Sequence, residues 1–525
     1  MATYKTPGVY VEEITTLPPS VAEVETAIPA FIGYTETGIP FSPKRISSLV
    51  EYQQFFGSAE PEKSISVTIA KGDGGAGVTI DAAKRSKNVL FYALQLYFEN
   101  GGGPCYIVST GGFADGAANA SLDVYGSALA TLEKEDEPTL LVFPDAPWYL
   151  EAKQYYALAN AALAQCEKLG DRFTIIDVVD TGGLEKSKAD FRNVISANRD
   201  EAKYGAAYFP YLSTDLSYHY DEAAVSVAVA DDPEKARKSE EAEAKARAAR
   251  ADATAIRADA DSKKADADAA PGDAALQKAG TETAKKAKAA DDKATLLEQQ
   301  ADQLKKGMAS QAYNTLSNAQ QNQVKQKIRD LPVVMTPCAA IAGIYAKTDN
   351  TRGVWKAPAN VSLNFVDGPA VKITDEDQKD LNIDAIAGKS INAIRAFKGK
   401  GTIVWGARTL TGNDNEWRYI NVRRFFNMVE ESVKRSTAWA VFEPNDSNTW
   451  VLVRAMIENY LILKWKEGAL AGTKPEDAFF VHVGLGTTMS PEDVLEGRMN
   501  VEIGMAAVRP AEFIILKFSH KLQVS

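Results

Sequence analysis

At 525 residues the chain exceeds a single ordinary core, so several domains are expected. Its 45% hydrophobic and 25% charged residues are those of a globular protein, and the net charge of −11 excludes a general nucleic-acid binder or an adherent to anionic membrane faces. No apolar run is long enough to span a bilayer, and three separated cysteines and three isolated histidines give neither a disulfide framework nor metal-ligand spacing.

The opening MATYKTPGVYVEEI lacks a basic stretch followed by an apolar one, so synthesis in the cytoplasm without a signal peptide is expected. Residues 1–20 read as an extended arm: Pro7-Gly8 turns the chain, Val9 and Val11 alternate with Tyr10 and Glu12, and Pro18-Pro19 stiffens the exit. A strand-like run follows at Ala30–Tyr34, within a segment 21–87 expected to belong to the same core domain as the C-terminal part.

From residue 88 to 225 apolar strand runs alternate with helical periods, which predicts an α/β domain with a mostly parallel, two-side-covered sheet. The expected strands are Cys105–Ser109, Leu140–Phe143, Phe173–Val179 and Ala206–Tyr211, and Asn88–Phe98 is an amphipathic helix. Asp145, Asp177 and Asp180 fall at strand ends, where an α/β enzyme places its site. Turn and cap chemistry, which Asp supplies routinely, is the favoured account of them, since no nucleophile, base or histidine accompanies them. Lys71-Gly72-Asp73-Gly74-Gly75-Ala76-Gly77 lacks the Gly-Lys-Ser/Thr ending of a phosphate loop and reads as a surface loop.

Between Tyr220 and Tyr313 there is no aromatic residue, and Ala, Lys, Glu and Asp dominate residues 226–312. Such a stretch builds no core but favours helix, and Pro271-Gly272-Asp273 breaks it near the middle. Ala242, Ala246, Ala249, Ala253, Ile256 and Ala260 keep a four-three spacing, as do Ala287, Ala290, Ala294, Leu297, Ala301 and Leu304. This predicts an antiparallel helical hairpin roughly 50 Å long with a small-residue seam. A solvated linker is the alternative.

Residues 313–375 return to the α/β domain as a connector, and 376–505 are expected to form a mixed α+β domain together with the N-terminal arm. Within it, helices are predicted over about Val422–Ser436 and Thr449–Trp465, the second capped from Asn445-Asp446-Ser447-Asn448. Val501–Met505 is a strand, and residues 506–525 form a terminal arm whose strand Phe513–Phe518 is apolar on both faces. Arg423, Arg424, Lys434 and Arg435 flank an apolar helix face, and Lys464, Lys466 and Glu467 end the second helix. All seven are candidate contacts with a partner, or a solvated face and a helix terminus.

The stretches YKTPGVYVEEI, PPSVAEVETAIPAFIGYTE, RGVWKAPAN (352–360), RYINVRRFFNMVEESVKRSTAWAVFEPND (418–446) and NVEIGMAAVRPAEFIILKF resemble, in order, the contractile tail sheath family of phages, tailocins and phage-like injection particles. They cover about the first 60 residues and nearly everything after residue 335. The Ala-rich insertion departs from the family pattern. The resemblance implies a structural, non-catalytic subunit without cofactor or metal, polymerised as stacked hexameric rings around an inner tube. Contraction of that sleeve would drive the tube through a target membrane. Its implied partners are further copies of itself, the inner tube protein, and baseplate and terminal cap proteins, with no nucleic acid and no direct membrane insertion. It implies residence in an assembled tail or extracellular particle. The family's arms pair with neighbouring subunits, which assigns inter-subunit strands to Val9, Tyr10, Val11 and Glu12 and to Phe513, Ile514, Ile515, Leu516 and Phe518. A static baseplate or scaffold component is the competing reading, and an α/β enzyme with sheet-edge carboxylates the remote one.

Overall fold

The computed structural model describes residues 20–70, 76–80, 85–196, 198–230, 233–269, 273–306 and 308–513. The chain forms two compact units, Glu25–Arg424 and a smaller one that joins Met1–Val24 to Phe425–Ser525.

The larger unit is built on a nine-stranded sheet. From edge to edge its strands are Val361–Ser362, Gly401–Val404, Ile391–Phe397, Gly205–Phe209, Phe173–Asp177, Leu140–Val142, Pro29–Thr35, Cys105–Gly112 and Lys44–Ile46. The six from Ile391–Phe397 to Cys105–Gly112 run parallel, and the outer strands are antiparallel. Successive side chains enter two different cores. Phe31, Ile107, Leu140, Ile175 and Tyr208 pack with the helices Leu90–Glu99 and Cys338–Arg352 on one face. Ala30, Ile32, Val108, Leu141, Ile176 and Phe209 pack with Leu122–Thr131, Ala152–Leu169 and Leu184–Val194 on the other. This two-sided burial is why the strands read as continuous apolar runs.

Five strands join this sheet from outside residues 88–225, the stretch expected to supply it: Pro29–Thr35 and Lys44–Ile46 from before it, and Val361–Ser362, Ile391–Phe397 and Gly401–Val404 from after it. Pro29–Thr35 is buried along its whole length between Leu140–Val142 and Cys105–Gly112. Ile391–Phe397 pairs in parallel with Gly205–Phe209, so the stretch 376–505 is divided at Arg424.

The insertion is a helical hairpin of Pro233–Ala269 and Ala274–Lys306. It is mounted on a four-stranded sheet of Ala309–Ala312, Ser226–Ala230, Ile65–Ala70 and Ala76–Ile80, its two ends leaving the antiparallel neighbours Ser226–Ala230 and Ala309–Ala312. Ala246, Ala253, Ala260 and Ala267 are buried on one helix, and Gly280, Ala287, Ala294 and Ala301 on the other. Gln277 Nε2 donates to the Ala267 carbonyl at 2.7 Å, and Lys305 pairs with Glu243 at 2.8 Å, so the helices are antiparallel. The buried line has a strict seven-residue period. Ile256, expected in the seam, is exposed, and Leu297 and Leu304 are half-buried. Small residues let the backbones approach until bulkier ones fit only at the flanks.

In the smaller unit, Phe425, Met428, Val429 and Val433 of the helix Ile420–Ser436 are buried, as helical spacing requires. The helix Ser447–Lys466 starts at Asp446, whose carboxylate accepts from the N–H groups of Asn448 and Thr449. Phe479–Val483 and Val501–Met505 form an antiparallel pair, from Phe479 opposite Met505 to Val483 opposite Val501.

Candidate assembly surfaces

Among the described residues, the pair Phe479–Val483 and Val501–Met505 is a sheet of two strands only. A two-stranded sheet is marginal by itself and offers main-chain groups to a further strand. Beside it lies an apolar groove of about 870 Å³, lined by Phe426, Val429, Val433, Val453, Ile457 and Ile503 among others. The expected donor strands lie outside the described residues, apart from Phe513, which is exposed.

The charged candidates divide into buried and exposed groups. Arg423 and Arg424, expected at a partner surface, are buried within the larger unit. The Arg423 guanidinium lies 4.2 Å from the Trp417 ring and 5.0 Å from that of Tyr204. Arg424 forms two bonds with Asp349, Nη1–Oδ1 at 3.0 Å and Nη2–Oδ2 at 2.5 Å, above the ring of Tyr345. The helix is enclosed at this end, so both cations face aromatic and acidic partners inside the unit. Lys434 and Arg435 are exposed and each pairs with Glu431, at 3.1 and 2.6 Å. Lys464 is buried and pairs with Glu23 and with Glu467, whereas Lys466 and Glu467 are exposed. Lys464 therefore serves the smaller unit's own packing.

The strand-end carboxylates are structural. Asp145 is buried: its Oδ2 accepts from the Tyr34 N–H at 2.7 Å and its Oδ1 from the Tyr125 hydroxyl at 2.8 Å. Asp177, also buried, accepts from the Cys338 N–H at 2.8 Å at the start of the helix Cys338–Arg352. Burial pushes both carboxyls up to about 7. Asp180 caps a turn by accepting from Gly182 and Gly183. Main-chain or tyrosine donors hold Asp145 and Asp180, and the Cys338 N–H holds Oδ1 of Asp177, whose buried Oδ2 has no hydrogen-bond partner among the described residues; these bonds tie strand ends to helices. Among the described residues there is no acidic, Cys or His cluster able to hold a metal ion, and no helix is long and apolar enough to cross a membrane.

Asp349, which buries and pairs Arg424, gave no signal as a partner in the sequence. The one available clue was an aspartate inside CAAIAGIYAKTDN, since an acid within a helix buried to this degree requires a partner.

Residues 412–521 match the family described as "Phage tail sheath C-terminal domain". The chain is 32% identical over 126 residues to the tail sheath protein of Enterobacteria phage T4, a stretch that is 24% of this chain and 19% of that protein. Thus it spans less than a fifth of that relative's length in the match. Several solved structures follow nearly the whole chain. The PVC sheath complex of an extracellular contractile injection system, in its contracted state, is 27% identical with a TM-score of 0.58, covering 99% of each chain. A chain of the anti-feeding prophage baseplate is 27% identical with a TM-score of 0.56, covering 99% of this chain and 100% of that one. Residues 412–521 thus carry the tail sheath C-terminal domain, and the chain resembles contractile sheath proteins in fold over almost its full length.

Proposed function

We propose that this chain is the repeating subunit of a contractile sheath, which polymerises as stacked hexameric rings around an inner tube and shortens to drive the tube through a target membrane. The observation that carries this reading is the end-to-end likeness to a sheath complex solved in its contracted state. The two-stranded sheet of the smaller unit supports a route to polymerisation. Its outer edges would accept Val9–Glu12 of one neighbour and Phe513–Phe518 of another, with the apolar groove beside them. Strand addition joins copies head to tail, and a head-to-tail contact builds an open assembly rather than a closed dimer. Lys434 and Arg435 (each paired with Glu431), Lys466, and Glu467 (paired with Lys464) are exposed and are the candidate contacts with the tube or an adjacent subunit. Baseplate and cap proteins complete the partner set. Likeness to a chain of a baseplate structure favours a second reading, a static baseplate component.

Negative-stain electron microscopy of the chain expressed alone and with an inner tube protein separates the two. Hollow striated cylinders with six-fold end views are expected. Discrete small oligomers under both conditions would favour the static component. Deleting Met1–Leu17 is expected to leave a folded subunit that forms no sheath, and sleeves of normal length from it would refute strand donation.

A further inference from the structure

The chain passes between its two units twice, at Val24–Glu25 and at Arg424–Phe425. Inside the larger unit both passages are held by one carboxylate. Thr26 Oγ1 donates to Asp349 Oδ2 at 2.6 Å, while Arg424 donates to both Asp349 oxygens. Arg424 Nη2 also donates to the Thr26 carbonyl at 2.8 Å, which closes the set. The side chains of Arg424 and Asp349 are 3% and 4% exposed. Two residues further on, the Ile28 N–H donates to Thr139 Oγ1 at 2.9 Å, and the buried strand Pro29–Thr35 begins.

Inside the smaller unit the same segment is fastened separately. The N–H groups of Ala22 and Val24 donate to Ser436 and Ser432, each at 3.0 Å, and Glu23 pairs with Lys464. Every second residue from Ala22 to Ile28 therefore has its own attachment.

A buried ion pair is a poor source of net stability, because desolvation of both charges offsets their attraction. Its value lies in fixing geometry, and here it fixes the point where the N-terminal segment leaves the larger unit. Building on the sheath reading, in which the arm before Ser20 is bonded to a neighbouring subunit, any displacement of that neighbour pulls on this segment. Pull that passes the fastenings at Ala22–Val24 would, without this next fixed point, load Pro29–Thr35, an interior strand of the parallel sheet.

We propose that Asp349 is the anchor of the arm's root: with Arg424 and Thr26 it takes up tension from the N-terminal arm before that tension reaches the sheet.

The test uses the full chain. Asp349→Leu with Arg424→Met removes both charges together and leaves none unpaired, and Thr26→Val removes only the hydroxyl. Amide exchange of the soluble subunit is followed at Glu25–Ile28, with Phe173–Asp177 as internal reference, and assembled sheaths are titrated with guanidinium chloride. The double variant and Thr26→Val are both expected to exchange at least about tenfold faster at Glu25–Ile28, as loss of one hydrogen bond to a charged group implies, with the reference strand unmoved. Sheaths of both should dissolve at lower denaturant than wild type. Unchanged exchange at Glu25–Ile28, or acceleration shared equally by the reference strand, would overturn the anchor. If the double variant does not fold, Thr26→Val decides by the same criterion. Wild-type chain that forms no sheath would refute the sheath reading instead, and the exchange data would still uphold or overturn the anchor.

Discussion

Arg250 and Glu298 meet across the hairpin through two hydrogen bonds, Nε to Oε1 at 2.7 Å and Nη2 to Oε2 at 2.6 Å. Arg250 also reaches Asp291 at 3.0 Å, and Arg257 reaches the same aspartate at 3.3 Å. These partly exposed pairs set the register of the helices more than they stabilise them. In that register Ala253 falls level with Ala294, and both are fully buried.

Close approach, then, is what holds the hairpin, and it is sensitive to volume. Ala253→Leu or Ala294→Leu should destabilise it by about 1–3 kcal/mol, because the added atoms meet the facing backbone. Amide exchange should accelerate from Pro233 to Lys306 while Phe173–Asp177 keeps its protection. Uniform acceleration across the chain would mean that the hairpin and the main sheet unfold as one unit.

Stability of the larger unit should fall as pH rises from about 4 to about 7. Asp145 and Asp177 hold their protons in the folded state up to about 7, because burial disfavours the carboxylates. The unfolded chain releases those protons near 4, so the folded state binds more protons between the two values. The stabilisation is complete below pH 4 and is lost as pH passes through 7, at most on the order of 3–4 kcal/mol for each group. Asp384 and Asp414 act oppositely, since main-chain N–H donors outweigh burial and hold their carboxyls below the usual range, so their contribution is lost only at more acid pH. Asp177→Asn keeps an acceptor for the Cys338 N–H and removes the charge. Denaturant titrations at pH 5, 6, 7 and 8 should show a shallower slope in that variant, and an unchanged slope would mean that Asp177 titrates normally.

Much of the α/β architecture was legible because its strands are apolar on both faces, as at Leu140–Val142 and Phe173–Asp177. The hairpin was legible from alanine spacing between two breaks in composition. Ile391–Phe397 was not, since Arg395 interrupts its apolar run and its parallel partner Gly205–Phe209 lies far back in the chain. Arg424 was read as a surface cation because its helix is amphipathic. The residue that buries it, Asp349, is 75 positions away and gives no local signal. Asp145 and Asp177 were placed correctly at strand ends, but only the donors around them distinguish a tie between elements from a site.

Gly33 is needed for one of those ties. A methyl group at this position would lie 2.6 Å from Asp145 Oδ2. Asp145 cannot retreat without losing the Tyr34 N–H or the Tyr125 hydroxyl, and a buried carboxyl stripped of donors costs about 1–3 kcal/mol or more. Gly33→Ala should therefore destabilise the larger unit by at least about 2 kcal/mol, visible as a lower Tm. A Tm within a degree of wild type would show that Pro29–Thr35 can shift to accommodate the methyl group.

Phe442 makes the opposite case, a residue whose replacement should stabilise the subunit. Its φ is 70°, in the left-handed region, and its side chain is fully exposed. A bulky residue there carries roughly 1–2 kcal/mol of backbone strain, and exposure means that the ring returns no burial within the chain. Glycine adopts the conformation freely but adds freedom to the unfolded chain, which offsets part of the gain. Phe442→Gly should thus stabilise the smaller unit by about 0.5–1 kcal/mol, measured by urea unfolding with the C-terminal tryptophans as probes. A loss of stability would instead mean that the Phe442 ring contributes to closing the apolar groove it borders.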